Sequence, residues 1–223
     1  MRPDVITFDC YGTLVDWEGG IRQAFEAAAA RENATLPVGE ALLAAYAEIE
    51  PEVESGAYRS YREVLGETAL RLAGRLGWEL DAGRARFLAE SLPSWRPFPD
   101  TNPSLRRLAA GGCRLGILSN VDDDLLAGTR RLLEVSFDPV VTAAQVRSYK
   151  PAPGHFLAAR ERLPGNARWL HAAQSYFHDV APCKRLGIEV AWINRKGQTA
   201  GAEGAPDLEF RDLAGLAEWI EGR

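Results

Sequence analysis

The chain has 223 residues, 46% hydrophobic and 26% charged, with a formal net charge of -5 at pH 7. That length fits one large domain or a core with an insert, and the apolar share is ample for a buried core. The acidic balance argues against non-specific nucleic-acid binding, which needs a basic face, and no apolar run approaches a bilayer span. Three cysteines (Cys10, Cys113, Cys183) show no CxxC spacing, so neither a disulfide framework nor a zinc site follows. The chain opens on an apolar strand rather than a charged leader, so a soluble cytoplasmic protein is expected.

In chain order, Val5-Ile6-Thr7-Phe8 reads as a buried strand, and Asp9-Cys10-Tyr11-Gly12-Thr13 follows it as a tight turn. Residues 17 to 93 carry apolar side chains at helical spacing: Ile21, Phe25 and Ala28, then Leu42, Leu43 and Tyr46, then Val64, Leu65, Ala69, Leu72 and Leu76. Three or four amphipathic helices are predicted there, broken near Pro37-Val38-Gly39 and Pro51, with no strand. A helix enters at Pro99-Asp100-Thr101 and ends at Gly111-Gly112, followed by a strand from Arg114 to Leu118, a helix over 123–133, a strand over 139–142 and a helix over 153–163. Trp169-Leu170-His171 and Glu189 to Ile193 are predicted strands, with a helix from Val180 to Leu186 between them and a closing helix from Leu213 to Ile220. Residues 197–206 read as a mobile loop. Strands alternating with helices predict an α/β fold, a doubly wound parallel sheet covered on both faces. The expected division is an α/β core over 1–15 and 96–223, with a helical cap over 16–95 inserted so that it can sit above the strand ends.

Polar clusters fall at four predicted strand ends: Asp9 to Thr13, Ser119-Asn120, Lys150-Pro151 and His178-Asp179. Ligands bind at that face in this architecture, so the four together define a candidate site. Asp9 is suited to act as a nucleophile, and Lys150 to keep it ionised and offset the charge of an anionic substrate. Ser119, Asn120 and Thr13 are suited to hydrogen-bond nucleophile or substrate, and Asp179 to orient a water or to share a divalent cation with Asp9. Each has a plainer reading beside it: Asp9 as a turn cap, Ser119-Asn120 as a turn pair, Lys150 as a solvated lysine, His178 as a surface histidine. Tyr58, Arg59, Tyr61 and Arg62 either face the site from the insert or form a solvated helix surface. Trp17 and Trp95 read as packing at the joins of the insert, with Trp17 close enough to the Asp9 turn to line a pocket.

Asp9-x-Tyr11-Gly12-Thr13-Leu14, Leu118-Ser119-Asn120, Tyr149-Lys150-Pro151, and His178-Asp179 with Ala191-Trp192-Ile193-Asn194-Arg195, in that order, resemble the haloacid dehalogenase superfamily. The likeness is greatest to its 2-haloacid dehalogenase type II branch. That resemblance implies Asp9 as nucleophile, an aspartyl-ester intermediate hydrolysed by water, and Thr13, Ser119, Lys150 and Asp179 as its support. Tyr11 stands where superfamily phosphatases carry an acid–base aspartate. A phosphate ester's alkoxide needs a proton donor to leave, whereas a halide does not. The implied substrate is a small carboxylic acid, with Tyr11, Asn120, Trp17, Tyr61, Arg62, Gln174, Tyr176 and His178 as candidate substrate contacts. No cofactor is implied if the chemistry is dehalogenase-like, and magnesium on Asp9 and Asp179 if it is phosphatase-like. A homodimer is plausible by resemblance, and neither a nucleic-acid nor a membrane partner is implied. Three departures stand out: no arginine in Tyr46-Ala47-Glu48-Ile49, Phe156 where the branch has a tyrosine, and Gln174-Ser175-Tyr176 where it has Ser-x-Asn. His171 to Asp179 is similar instead to a sub-branch that includes an azetidine-2-carboxylate hydrolase, which opens a strained ring by the same attack. A magnesium-dependent phosphatase and a non-catalytic family member are the other readings.

Overall fold

The computed structural model describes residues 2–34, 36 and 39–223. Six parallel strands form one sheet in the order β3-β2-β1-β4-β5-β6: β1 (Val5–Phe8), β2 (Arg114–Ser119), β3 (Val140–Thr142), β4 (Trp169–Ala173), β5 (Glu189–Ile193) and β6 (Leu208–Phe210). β1 is buried along its whole length, as expected of a central parallel strand covered on both faces. The sheet is wrapped by α5 (Thr101–Ala110), α7 (Ala143–Val146), α8 (Gly154–Arg162), α9 (Ala181–Leu186) and α10 (Leu213–Glu221). The α/β parallel-sheet class predicted from the alternation is the one observed.

The chain divides into two compact units. One comprises 1–16, 97–120 and 132–223, and the other 17–96 and 121–131. The second unit is all helical: α1 (Trp17–Arg31), α2 (Glu40–Glu54), α3 (Tyr61–Arg75), α4 (Phe87–Ser91) and α6 (Asp123–Thr129). Residues 121–131, expected in the core, group with the helices instead, and α3's N-terminus supplies a reason. Its first N–H groups have no intrahelical partner. Those of Tyr61 and Arg62 donate to the two carboxylate oxygens of Asp122, each at 2.9 Å, while Ser60 and Glu63 form a reciprocal capping box.

Other expectations shift at the edges. Of the predicted break at 37–39, Pro37 and Val38 lie outside the described residues. Pro51 does not break α2 but sits inside it. The one bond it removes is that to the Ala47 carbonyl, and Ala47 is exposed, so water can take its place. β6 and α7 escape the sequence pattern because three or four residues are too few to show a period, and β6 is a half-exposed edge. The helix predicted from Val180 begins earlier, as a wide π-type turn over Tyr176–Val180. The 197–206 loop is tethered, since the Tyr176 hydroxyl bonds to the Gly201 and Gly204 carbonyls at 3.2 and 2.7 Å. Among the described residues no helix is long and apolar enough to cross a membrane.

Asp122→Ala should lower stability by about 1–2 kcal/mol through loss of the α3 cap. A urea titration checks it, and an unchanged midpoint would mean the cap contributes nothing.

Candidate active site

Parallel register brings three chain segments to one edge of the sheet. Phe8 is level with Ile117 on β2 and with Ala172 on β4. Asp9, Ser119-Asn120 and the 174–179 segment therefore emerge together. The chain leaves β1 toward β2 on one side and returns to β4 on the other, and in open α/β sheets that reversal is where a crevice forms.

Lys150 organises what emerges there. Its ammonium donates to Asp9 Oδ1 at 2.9 Å, to Asp179 Oδ1 at 2.6 Å and to the Leu118 carbonyl at 2.9 Å. An ammonium carries three protons, so all are taken. The solvated-lysine reading is thereby overturned: the Lys150 side chain is 1% exposed. Burial disfavours its charge, but Asp179 and Asp9 outweigh burial and hold the ammonium above its ordinary range. Asp179 is also 1% exposed, whereas the Asp9 side chain is 11% exposed. Burial pushes the Asp9 carboxyl up from 3.8, with the Asp179 charge adding to it against the pull of Lys150 and Thr13. Burial would raise Asp179 as well, but the Lys150 charge and the His171 hydrogen bond hold it well below the usual carboxylate range.

The surrounding groups fix this arrangement. Thr13 Oγ1 accepts the Gln174 N–H and donates to Asp9 Oδ2, both at 2.8 Å. Gly12, at φ 96°, makes the turn that allows it. Behind the turn, Arg195 donates to the Thr13 carbonyl at 2.9 Å and pairs with Asp100. His155 Nε2 bonds the Ser119 carbonyl at 3.1 Å, and burial aided by the Lys150 charge lowers the imidazole to about 3, so it stays neutral. Among the described residues the Ser119 hydroxyl and Asp179 Oδ2 are buried without a hydrogen-bond partner.

Several candidate substrate contacts have other work. Asn120 was expected at the substrate, yet its amide clasps the Lys150 peptide: its oxygen accepts from Lys150 N at 2.7 Å and its nitrogen donates to Lys150 O at 3.0 Å. Tyr176 turns its hydroxyl to the 201–204 loop and its ring against Trp192. His178 closes on Ser175, its Nδ1 lying 3.1 Å from the hydroxyl. Tyr11 is half-buried and bridges to Val15. Gln174 reaches Thr13 through its backbone N–H, and its carbonyl accepts from the Trp192 indole. Trp17, Tyr61 and Arg62 belong to the helical unit. There Trp17 packs on Tyr46, the Tyr61 hydroxyl donates to Glu50 at 2.7 Å and Arg62 pairs with Asp124.

A magnesium ion would take Asp9 and Asp179, but Lys150 already bridges one oxygen of each. Among the described residues no group of three or more acidic, histidine or cysteine side chains suits a metal. Magnesium is usually held by one or two carboxylates with waters completing its shell, and here each of the two carboxylates already gives an oxygen to the Lys150 ammonium, whose charge opposes a second cation beside it. His171, Thr7, Arg195 and Asp100 support the site, yet the sequence reading gave none of them a role in it. The available signal was polarity inside apolar strands, at Thr7 and His171.

A sequence model of the haloacid dehalogenase-like hydrolases matches residues 3–173, and the chain belongs to that family of hydrolases. It is 27% identical over 229 residues to an (S)-2-haloacid dehalogenase of Pseudomonas putida, covering 99% of each chain. It is 29% identical over 240 residues to a probable phosphatase, IndB, of Dickeya dadantii, covering 97% of this chain and 94% of that one. Among solved structures it is similar to the L-2-haloacid dehalogenase of Xanthobacter autotrophicus with chloropropionic acid covalently bound. The TM-score is 0.84 at 25% identity, over 99% of both chains.

Lys150→Met should destabilise the fold by about 3–5 kcal/mol at pH 7, because two buried carboxylates are left without their cation. In the wild type, Asp179's depressed pKa contributes stability that is present above 3.8 and lost as pH falls through its lower folded value. In the variant the carboxylates protonate early, so its deficit should shrink on acidification. Urea titrations across pH check this, and a constant deficit would refute it. Carbon-13 NMR of the wild-type carboxyls should find Asp9 titrating above 3.8 while Asp179 is still ionised.

Proposed function

We propose that the chain hydrolyses a 2-haloacid or a close analogue at the carbon bearing the carboxylate, through an aspartyl ester on Asp9. The observation that carries this is the asymmetry of the carboxylate pair. Asp9 and Asp179 share one ammonium, but only Asp9 keeps appreciable exposure, 11% against 1%. A carboxylate a ligand can reach, held by Lys150 on one oxygen and Thr13 on the other, is a positioned nucleophile.

In the first step an Asp9 oxygen attacks the substrate's C2. The new C–O bond forms as the carbon–halogen bond breaks, and the halide leaves with the bonding pair. No proton is delivered, which fits a lysine whose three protons are all in use and a tyrosine at position 11. In the second step water adds to the Asp9 carbonyl carbon, giving its proton to Asp179. The acyl C–O bond then breaks and the departing alkoxide recovers that proton, giving the 2-hydroxy acid, while the Asp9 carboxyl releases water's second proton to solvent and is regenerated as the carboxylate. Asp179 Oδ2 suits this task, being the one oxygen of the pair without a partner. In this reading the helical unit is the inserted cap, and no metal takes part.

A panel of 2-haloacids, cyclic amino acids and phosphate esters tests the proposal. Turnover of a 2-haloacid, unaffected by chelator, is expected, and turnover confined to phosphate esters and abolished by chelator would overturn it. Asp9→Asn should abolish turnover. A single turnover in heavy-oxygen water should yield a product with light oxygen, since that atom comes from Asp9. Label in the first product would mean direct attack by water.

A further inference from the structure

We infer that His171 is a positioning residue for Asp179: a one-way chain of hydrogen bonds from Trp169 through Thr7 to His171 locks one Asp179 oxygen and leaves the other for the hydrolytic water. The inference rests on the two-step reading above and concerns residues that the four motifs do not include. Register builds the chain. β1 and β4 pair with Thr7 opposite His171, and Trp169 lies two residues earlier on the same face of β4. The Trp169 indole N–H donates to Thr7 Oγ1 at 2.7 Å, Thr7 Oγ1 lies 2.8 Å from His171 Nδ1, and His171 Nε2 lies 3.0 Å from Asp179 Oδ1.

Direction follows from the donor inventory. An indole nitrogen can only donate, so one lone pair of the Thr7 oxygen accepts there, and the hydroxyl's single proton has Nδ1 within hydrogen-bond reach. With Thr7 as the donor in that bond, Nδ1 is the bare ring nitrogen. Nε2 carries the proton and donates it to Asp179. The opposite tautomer would set a bare Nε2 against a carboxylate oxygen and leave the buried Thr7 proton without this acceptor. Thr7, His171 and Asp179 are each fully buried, and Phe156 meets the imidazole edge-on at 5.4 Å. In that dry setting each bond counts for more than it would in water.

The consequence is a carboxylate that cannot turn over. Asp179 Oδ1 receives both Lys150 and His171, while Oδ2 receives nothing. Exchanging the two oxygens would break two hydrogen bonds at once. His171 does not reach the reacting atoms, because both its nitrogens are engaged. It acts through Asp179, and so on ester hydrolysis rather than on ester formation.

The test uses the full chain with (S)-2-chloropropionate as probe, following the Asp9-bearing peptide by mass spectrometry during single turnovers. His171→Leu should slow overall turnover about 10- to 100-fold, the range typical of lost supporting hydrogen bonds, while ester forms at close to the wild-type rate and accumulates. His171→Gln restores a donor toward Asp179 and should recover much of the loss. Parallel slowing of both steps, wild-type turnover in His171→Leu, or no recovery with Gln would overturn the inference. Thr7→Val, nearly isosteric, covers the case in which the Leu variant fails to fold, and it should also accumulate ester. Nitrogen-15 NMR of the wild-type imidazole should find Nε2 protonated and Nδ1 bare, and the reverse would refute the chain whatever the substrate. If the wild type leaves 2-chloropropionate untouched, the functional proposal falls and this spectrum alone decides the hydrogen-bond direction.

Discussion

A single buried ammonium joins three separate stretches of chain. Lys150 meets the residue that follows β1, the carbonyl next to the end of β2 and the carboxylate beyond β4. Removing such a cation from water is costly, and the cost is offset only when every proton finds an acceptor and the nearby negative charge is well placed. Both conditions hold, so the lysine is at once a structural tie and the electrostatic centre of the site. Because its protons are all engaged, what it offers the two carboxylates is a fixed field rather than a proton to transfer.

The same cation divides two carboxylates into different roles. Asp179 is enclosed and receives a second donor from His171, which favours its charged form. Asp9 has Lys150 and Thr13 but keeps some exposure, with its charge less fully compensated. Paired groups pushed apart by their surroundings are a general way for one site to hold two functions. The local devices serve that separation: Asn120 clasps the Lys150 peptide, Gln174 orients the Thr13 hydroxyl, and Arg195 supports the turn from behind.

Legibility in the sequence followed the length and regularity of each signal. The Asp9 turn after an unbroken apolar run, and the alternation of strands and helices after it, were readable because burial of a parallel strand leaves a continuous apolar trace. What pattern could not convey was where a side chain's polar atoms go. Asn120 looks like a substrate contact until its amide is seen holding a backbone thirty residues away. Asp122 looks like part of a core helix, yet its carboxylate closes the first turn of α3, sixty-one residues earlier at Tyr61. Thr7 and His171 sit in strands whose apolar neighbours mask them, and their pairing exists only through the β1–β4 register.

The departures from the dehalogenase motifs form a physically consistent set. The resemblance places a tyrosine at Phe156 and an asparagine at Tyr176, both polar groups near the last aspartate. Here Phe156 contributes only an apolar edge against the His171 ring, and Tyr176 is turned to the 201–204 loop. Lys150 alone would leave Asp179 held by a single donor on one oxygen. His171 supplies a donor from the strand instead, where the backbone is rigid and the sheet excludes water. A contact made from β4 is less adjustable than one made from a loop. It fixes the aspartate's free oxygen before substrate arrives and leaves the loop side chains to hold the loop itself.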